Sequence, residues 1–108
     1  MLSEYKAMWL FVIFDLPVTT KKARLDYTRF RKLLLKSGFT MLQFSVYARH
    51  CPTVETSETY KKRTRVAIPP EGHVRILEVT DKQFGKMENY YGKKRNKMEE
   101  PLPQLMLF

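Results

Sequence analysis

An α+β fold, one sheet carrying two helices on one face, is the class this 108-residue chain predicts. Three observations predict it. Residues 8–14 form an unbroken apolar run that ends on Asp15, and Pro17 follows, as expected of a strand buried on both faces that can pair no further. Residues 21–37 repeat apolar side chains at helical spacing and stop at Gly38. Beyond them, short alternating stretches flank a second segment of helical length. A chain of this size supports one core, and 44% hydrophobic content is ordinary for a globular domain.

The first strand covers Met8–Asp15. A lone carboxylate at the mouth of a buried strand is costly without a partner or a task, so Asp15 either caps the following turn or is functional. Thr19 or Thr20 supplies the N-cap of the first helix. Within that helix Ala23, Tyr27, Phe30 and Leu34 share the core face. Residues Phe39–His50 read as a strand whose alternation changes parity between Met41 and Phe44, the sign of a bulge or of burial on both faces. Thr53 or Thr56 caps a second, weakly amphipathic helix reaching Ala67, and Pro69-Pro70-Glu71-Gly72 is a turn. His73–Thr80 is a strand, Asp81–Met87 a helical turn with Phe84 and Met87 facing inward, and Glu88–Tyr91 a short edge strand ended by Gly92.

This order becomes βαββαβ if one more strand lies near residues 66–69 or within Phe39–His50, which describes a ferredoxin-like sandwich. Its second sheet face would be bare, with Phe11, Phe14, Phe44 and Tyr47 to line it, and a two-fold homodimer packed sheet to sheet would cover it. The domain is expected over 1–92. Residues 93–108 follow as a basic hinge (Lys93, Lys94, Arg95) and an extra C-terminal apolar tail.

Charge narrows the partners. The net charge is +9, and most of it falls between residues 19 and 50. On the first helix Lys21, Lys22, Arg24, Arg29, Arg31, Lys32 and Lys36 are opposed only by Asp26, a density of like charge that solvation alone does not require. A polyanion follows, and nucleic acid is favoured over a membrane because no exposed lipid-seeking aromatic face accompanies the cations. No apolar run is long enough to cross a membrane, and the first one lacks a signal peptide's flanks, so a soluble cytoplasmic protein is expected. One cysteine, Cys51, and two histidines make neither an internal disulfide nor a zinc site.

From Phe11 to Arg49 the sequence resembles the small CRISPR-associated protein that partners the integrase in spacer acquisition, the Cas-two family. The resemblance rests on Val12-Ile13-Phe14-Asp15, the basic helix, Ser37-Gly38, and Gln43-Phe44-Ser45-Val46-Tyr47. Thr80-Asp81-Lys82-Gln83-Phe84 and the tail look like members that accompany Type II effector systems. The resemblance implies a ferredoxin-like homodimer whose two Asp15 carboxylates meet across the two-fold axis. It implies a Mg²⁺-dependent endonuclease acting on RNA or duplex DNA, with Asp15 as catalytic residue and metal ligand. It also implies a central platform between integrase subunits that holds protospacer duplex DNA on its basic surface. Ser45 would orient a water and Tyr47 would pack at the dimer seam. Where related chains often carry an arginine soon after the aspartate, this one has Leu16-Pro17-Val18-Thr19-Thr20 before Lys21.

Two functions of different class follow. One is a DNA-binding subunit of CRISPR adaptation, its Leu105-Met106-Leu107-Phe108 tail either docking on the integrase or completing a sheet edge of its own dimer. The other is an endonuclease centred on paired Asp15, with a stand-alone, toxin-like endoribonuclease of the same fold as its variant. An RNA-recognition sheet is disfavoured, because the Lys/Arg-Gly-aromatic signature it needs is missing.

Overall fold

The computed structural model describes residues 6–96. The elements run β1 (Met8–Asp15), α1 (Lys21–Lys36), β2 (Thr40–Gln43), β3 (Val46–Cys51), α2 (Val54–Ala67), β4 (His73–Thr80), α3 (Asp81–Gly85), β5 (Asn89–Tyr91) and β6 (Lys94–Asn96). The first four strands form one sheet in the order β2-β3-β1-β4, and every neighbouring pair is antiparallel. With α1 and α2 inserted this is the ferredoxin-like βαββαβ sandwich.

The strand missing from the count lies inside Phe39–His50, which is a hairpin rather than one strand. Gln43 faces Val46 across a two-residue connection, and Ser45 turns the chain with φ 63°. A serine there carries no glycine's advantage, so only the parity change marked the turn in the sequence. That change has a second source in the irregular register between Met41 and Gln43.

Strand alternation sorts the core. Met8, Leu10, Val12 and Phe14 of β1 face the helices and meet Phe30 and Leu34 of α1, Tyr47 and Cys51 of β3, and Val54 and Tyr60 of α2. The opposite parity, Trp9, Phe11, Ile13 and Asp15, faces away from α1 and α2. Phe14 and Tyr47, expected on the bare face, therefore belong to the helix side. Each lies three positions from its supposed companion, Phe11 or Phe44, and an odd spacing in a strand changes face. Tyr47 is 1% exposed and stacks on Phe14, so it is core and not a seam residue. The second face is not wholly bare either. Phe84 of α3 stacks on Trp9 with ring centroids 3.8 Å apart, and the Trp9 indole N–H donates to Asp81 Oδ1 at 2.9 Å.

Caps fix the helix starts. Thr20 and Thr53 accept from the backbone N–H of Ala23 and Thr56, and Thr80 forms a capping box with Gln83. Arg49 ties the helix layer to the sheet: its Nε donates to the Ser37 carbonyl at 2.9 Å, its Nη1 to the His50 carbonyl at 2.7 Å, and its guanidinium lies 3.9 Å over the Tyr60 ring. Lys94–Asn96, expected within a hinge, runs back against β5 as a separate two-stranded ribbon turned at Gly92, whose φ is 58°.

Gly72 enters β4 with φ 107°, and a Cβ there would stand 2.5 Å from Leu16 Cδ2 and 3.0 Å from the Asp15 carbonyl oxygen. Gly72→Ala is expected to destabilise the fold by roughly 1–3 kcal/mol, from the left-handed backbone and the clash together. The thermal midpoint measures it.

Burial raises the Cys51 thiol and the Tyr47 phenol above their ordinary values of 9.0 and 10.0; Arg49 partly offsets the first and Arg31 the second. Hydrogen bonding to Glu58, and then to Glu78, raises Lys61 above its ordinary 10.5. The folded chain thus keeps these three protons to higher pH than the unfolded chain. Their contribution is complete below about pH 9 and is lost as pH climbs through the raised values. Tyr60, lowered by the Arg49 guanidinium against it, acts in the opposite sense from the surface. A urea midpoint that is level up to about pH 9 and falls from there towards pH 11 is expected, and a flat one throughout would contradict the assignment.

Candidate functional site

The register across the sheet shows what surrounds Asp15. On its face, His50, Trp9 and Val79 align in one row; Ala48, Phe11 and Leu77 in the next; Val46, Ile13 and Arg75 in the third; and Asp15 ends the face opposite His73. The result is an apolar band closed by α3 at one end and by Asp15, His73 and Arg75 at the other. Arg75 Nη1 lies 3.5 Å from His73 Nδ1. Asp15 is exposed, and among the described residues its carboxylate makes no hydrogen bond or ion pair. It does not cap α1, since Thr20 does.

Ser45 belongs to the same end. Its carbonyl accepts from the Phe14 N–H at 3.0 Å, which seats the β2–β3 turn beside the last residues of β1. Gly72 packs against the Asp15 backbone from the β4 side. The carboxylate is thus held by a backbone fixed from both neighbouring strands. His73 and Arg75 carry no mark in the sequence, because only the β1–β4 register brings them there. Alternating apolar residues do mark β4 as a strand, but its register cannot be read from composition.

Among the described residues no group of three or more His, Cys, Asp or Glu side chains is placed to hold a metal ion. One chain supplies one carboxylate at this point. Two copies meeting on this face would supply two, a donor set suited to Mg²⁺, which retains several waters and commonly takes one or two carboxylates.

The cations lie on the other side of the sheet. Lys21, Lys22, Arg24, Arg29, Lys32 and Lys36 are exposed on α1. Lys22 pairs with Asp26 at 2.8 Å, and Arg24 Nη1 donates to the Val18 carbonyl at 3.1 Å. Arg31 differs from its neighbours: it is half-buried, and its charge opposes the rise that burial imposes on the Tyr47 phenol, so it belongs partly to the core. On α2, which packs beside α1, Lys62, Arg63 and Arg65 are also exposed. They extend the basic layer, and their clustering in Lys61-Lys62-Arg63 was the available signal. Lys93 is exposed in the β5–β6 turn, Lys94 and Arg95 fall on β6, and Leu105, Met106, Leu107 and Phe108 lie outside the described residues. No helix among the described residues is long and apolar enough to cross a membrane.

Comparison with known proteins agrees with this arrangement. The family model described as CRISPR associated protein Cas2 matches residues 8–87, from the start of β1 to just past α3. The chain is 50% identical over 101 residues to the CRISPR-associated endoribonuclease Cas2 of Parvibaculum lavamentivorans, covering 94% of this chain and 100% of that protein. It is 46% identical to the protein of the same name from Flavobacterium psychrophilum, covering 99% and 93%. With that of Paracidovorax avenae it shares 41% identity over the full length of both. The sheet order, the aspartate ending β1 and these matches place the chain in one family: it belongs to the CRISPR associated protein Cas2 family.

Proposed function

We propose that the chain acts as a homodimer that binds nucleic acid and cleaves RNA phosphodiesters at a Mg²⁺ site made by Asp15 from each copy. The observation that carries this reading is an exposed, unpartnered carboxylate at the end of an apolar sheet face. Packing that face against a second copy would bury Phe11, Ile13 and Leu77, which is 49% exposed, and would bring the two Asp15 side chains together. The relatives' name, endoribonuclease, supports RNA as substrate.

In this arrangement Asp15 would hold the ion, and Mg²⁺ when bound would supply charge neutralisation and a more acidic water. Arg75 would draw a phosphate toward that end of the sheet, and Ser45 would orient a water beside it. His73, opposite Asp15, is positioned to carry a proton to or from the reacting group.

A second role is supported by the cations of α1 and α2. They form a basic surface on the far side of the sheet from Asp15, available to duplex DNA while the other face is paired. This is the platform on which a protospacer duplex would lie between integrase subunits during CRISPR adaptation. Binding there should be indifferent to sequence, because phosphate contacts carry none. Replacing Arg29, Lys32 and Lys36 together by alanine is expected to reduce the slope of log affinity against log salt by about 2 to 3, at roughly 0.9 for each phosphate no longer neutralised. Arg31 is left in place because of Tyr47. A duplex-binding titration across salt concentrations measures the slope.

Labelled single-stranded RNA and duplex DNA, incubated with the full chain in Mg²⁺ or EDTA, test the enzymatic reading. Cutting of RNA in Mg²⁺ alone is expected. Intact RNA under both conditions would remove the catalytic role and leave the platform.

A further inference from the structure

On the helix side of the sheet, two clefts of about 310 and 360 Å³ meet at Asp26, Pro69 and Pro70 and form one groove between α1 and the turn after α2. Leu16, Pro17 and Tyr27 line the end beside the start of α1. Phe30, Leu33, Ala67 and Ile68 line the other. Packing two copies sheet to sheet leaves this groove open, because it lies in the helix layer. The charges on its borders are unequal. Glu71 borders one end, and Asp26 is already paired with Lys22 at 2.8 Å. Arg29 lines the groove, is exposed, and makes no hydrogen bond or ion pair among the described residues. Arg65 is exposed in the last turn of α2, two residues before Ala67.

An apolar floor offers nothing to a phosphate, so the fitting occupant is an apolar segment with acid beside it. The chain holds one. Glu99-Glu100 precedes Pro101-Leu102-Pro103 and Leu105-Met106-Leu107-Phe108, all outside the described residues. Prolines two apart favour the extended polyproline backbone, which docks on aromatic-lined grooves with little further ordering. Reach agrees. Asn96 ends β6 opposite Asn89, Asn89 shares a cleft with Phe44, the next residue Ser45 accepts from Phe14, and the Phe14 ring meets Tyr27. Residues 97–104 extend over roughly 26–29 Å, enough to follow that path of neighbours. A tether this short holds the segment near its groove at about millimolar effective concentration.

We propose that residues 101–108 lie in this groove of their own chain, with Glu99 and Glu100 facing Arg29 and Arg65, and that they compete with a duplex for that flank of α1. The competition rests on the reading of α1 as the duplex surface. A duplex must displace the segment to reach Arg29, so duplex binding sets the apolar segment free.

The test links the segment to the groove in the full chain. Ile68→Cys with Leu105→Cys is expected to form a disulfide within one chain under mild oxidation, read from a monomer-sized band on a non-reducing gel and the masses of the joined peptides. Cys51 is 0% exposed and stays out of the reaction. Leu35→Cys with Leu105→Cys is the control, since Leu35 is 41% exposed against 39% for Ile68 but does not line the groove. Glu71→Cys, on an exposed border residue, replaces Ile68→Cys if that variant does not fold. The linked chain should bind blunt duplex DNA at least about tenfold more weakly than the same chain after reduction. Glu99→Gln with Glu100→Gln should slow linking roughly two- to fivefold at low salt. Equal linking at Ile68 and Leu35 would overturn the proposal. So would a disulfide formed only between two chains, which would make a second copy the source of the segment. Equal duplex binding before and after reduction, in a chain whose salt slope does fall on replacing Arg29, Lys32 and Lys36, would also overturn it. If that slope stays unchanged while the disulfide forms within the chain, the reading of α1 as the duplex surface is retired and the docked segment stands.

Discussion

Asp15→Asn is expected to lower Mg²⁺-dependent RNA cleavage by at least about a hundredfold, the lower end of what removing one charge-stabilising group costs. The substitution keeps the size and planarity of the side chain and removes its charge. Nothing in the fold depends on that charge, since Asp15 is exposed and the N-cap of α1 is Thr20. Its effect on stability should stay within about 0.5 kcal/mol, as for other surface positions. Duplex binding should persist, because the cations of α1 and α2 lie across the sheet. Equal cleavage by Asp15→Asn and the parent would show that the reacting centre is elsewhere. Loss of both cleavage and binding, with an unchanged thermal midpoint, would mean that Asp15 shapes the dimer on which binding depends.

Phe30→Ala is expected to cost about 3–5 kcal/mol. Phe30 is 1% exposed and meets Phe14 edge to face with centroids 5.2 Å apart, and Phe14 in turn stacks on Tyr47. Removing the central ring leaves a void between α1 and the sheet that the strands cannot close, because β1 is paired on both edges. Against a total stability of about 5–15 kcal/mol this is a large fraction. The midpoint of urea unfolding measures it, and a change below about 1 kcal/mol would mean that α1 does not seat on the sheet through this ring. Since Phe14 immediately precedes Asp15, the same variant should also loosen the end of β1.

Local signals made the framework legible. Thr20, Gly38, Thr53 and Pro69-Pro70 bracket the helices in the sequence much as they do in the fold, because caps and breakers act over three or four residues. The strand ending at Asp15 was equally plain. What failed was parity and register. Grouping Phe11 with Phe14, and Phe44 with Tyr47, puts core rings on the open face, although an odd spacing of three separates the members of each pair. The β2–β3 turn was hidden because Ser45 adopts a left-handed backbone without glycine's signature. His73 and Arg75 could not be assigned to the Asp15 end until the register of β4 on β1 was known. Arg31 reads as one more surface cation along a helix, and only Tyr47 beneath it shows otherwise. The basic residues of α2 have no defined face in the sequence, because that helix is only weakly amphipathic.

The claim on which the rest depends is that two copies share one ion through their Asp15 carboxylates. Titration with Mn²⁺, followed by its electron paramagnetic resonance signal in the unsubstituted chain and in Asp15→Asn, tests it most directly. One ion bound per two chains, and none in Asp15→Asn at the same concentrations, is the expected result. One ion per chain, or equal binding by both proteins, would contradict a shared site at Asp15.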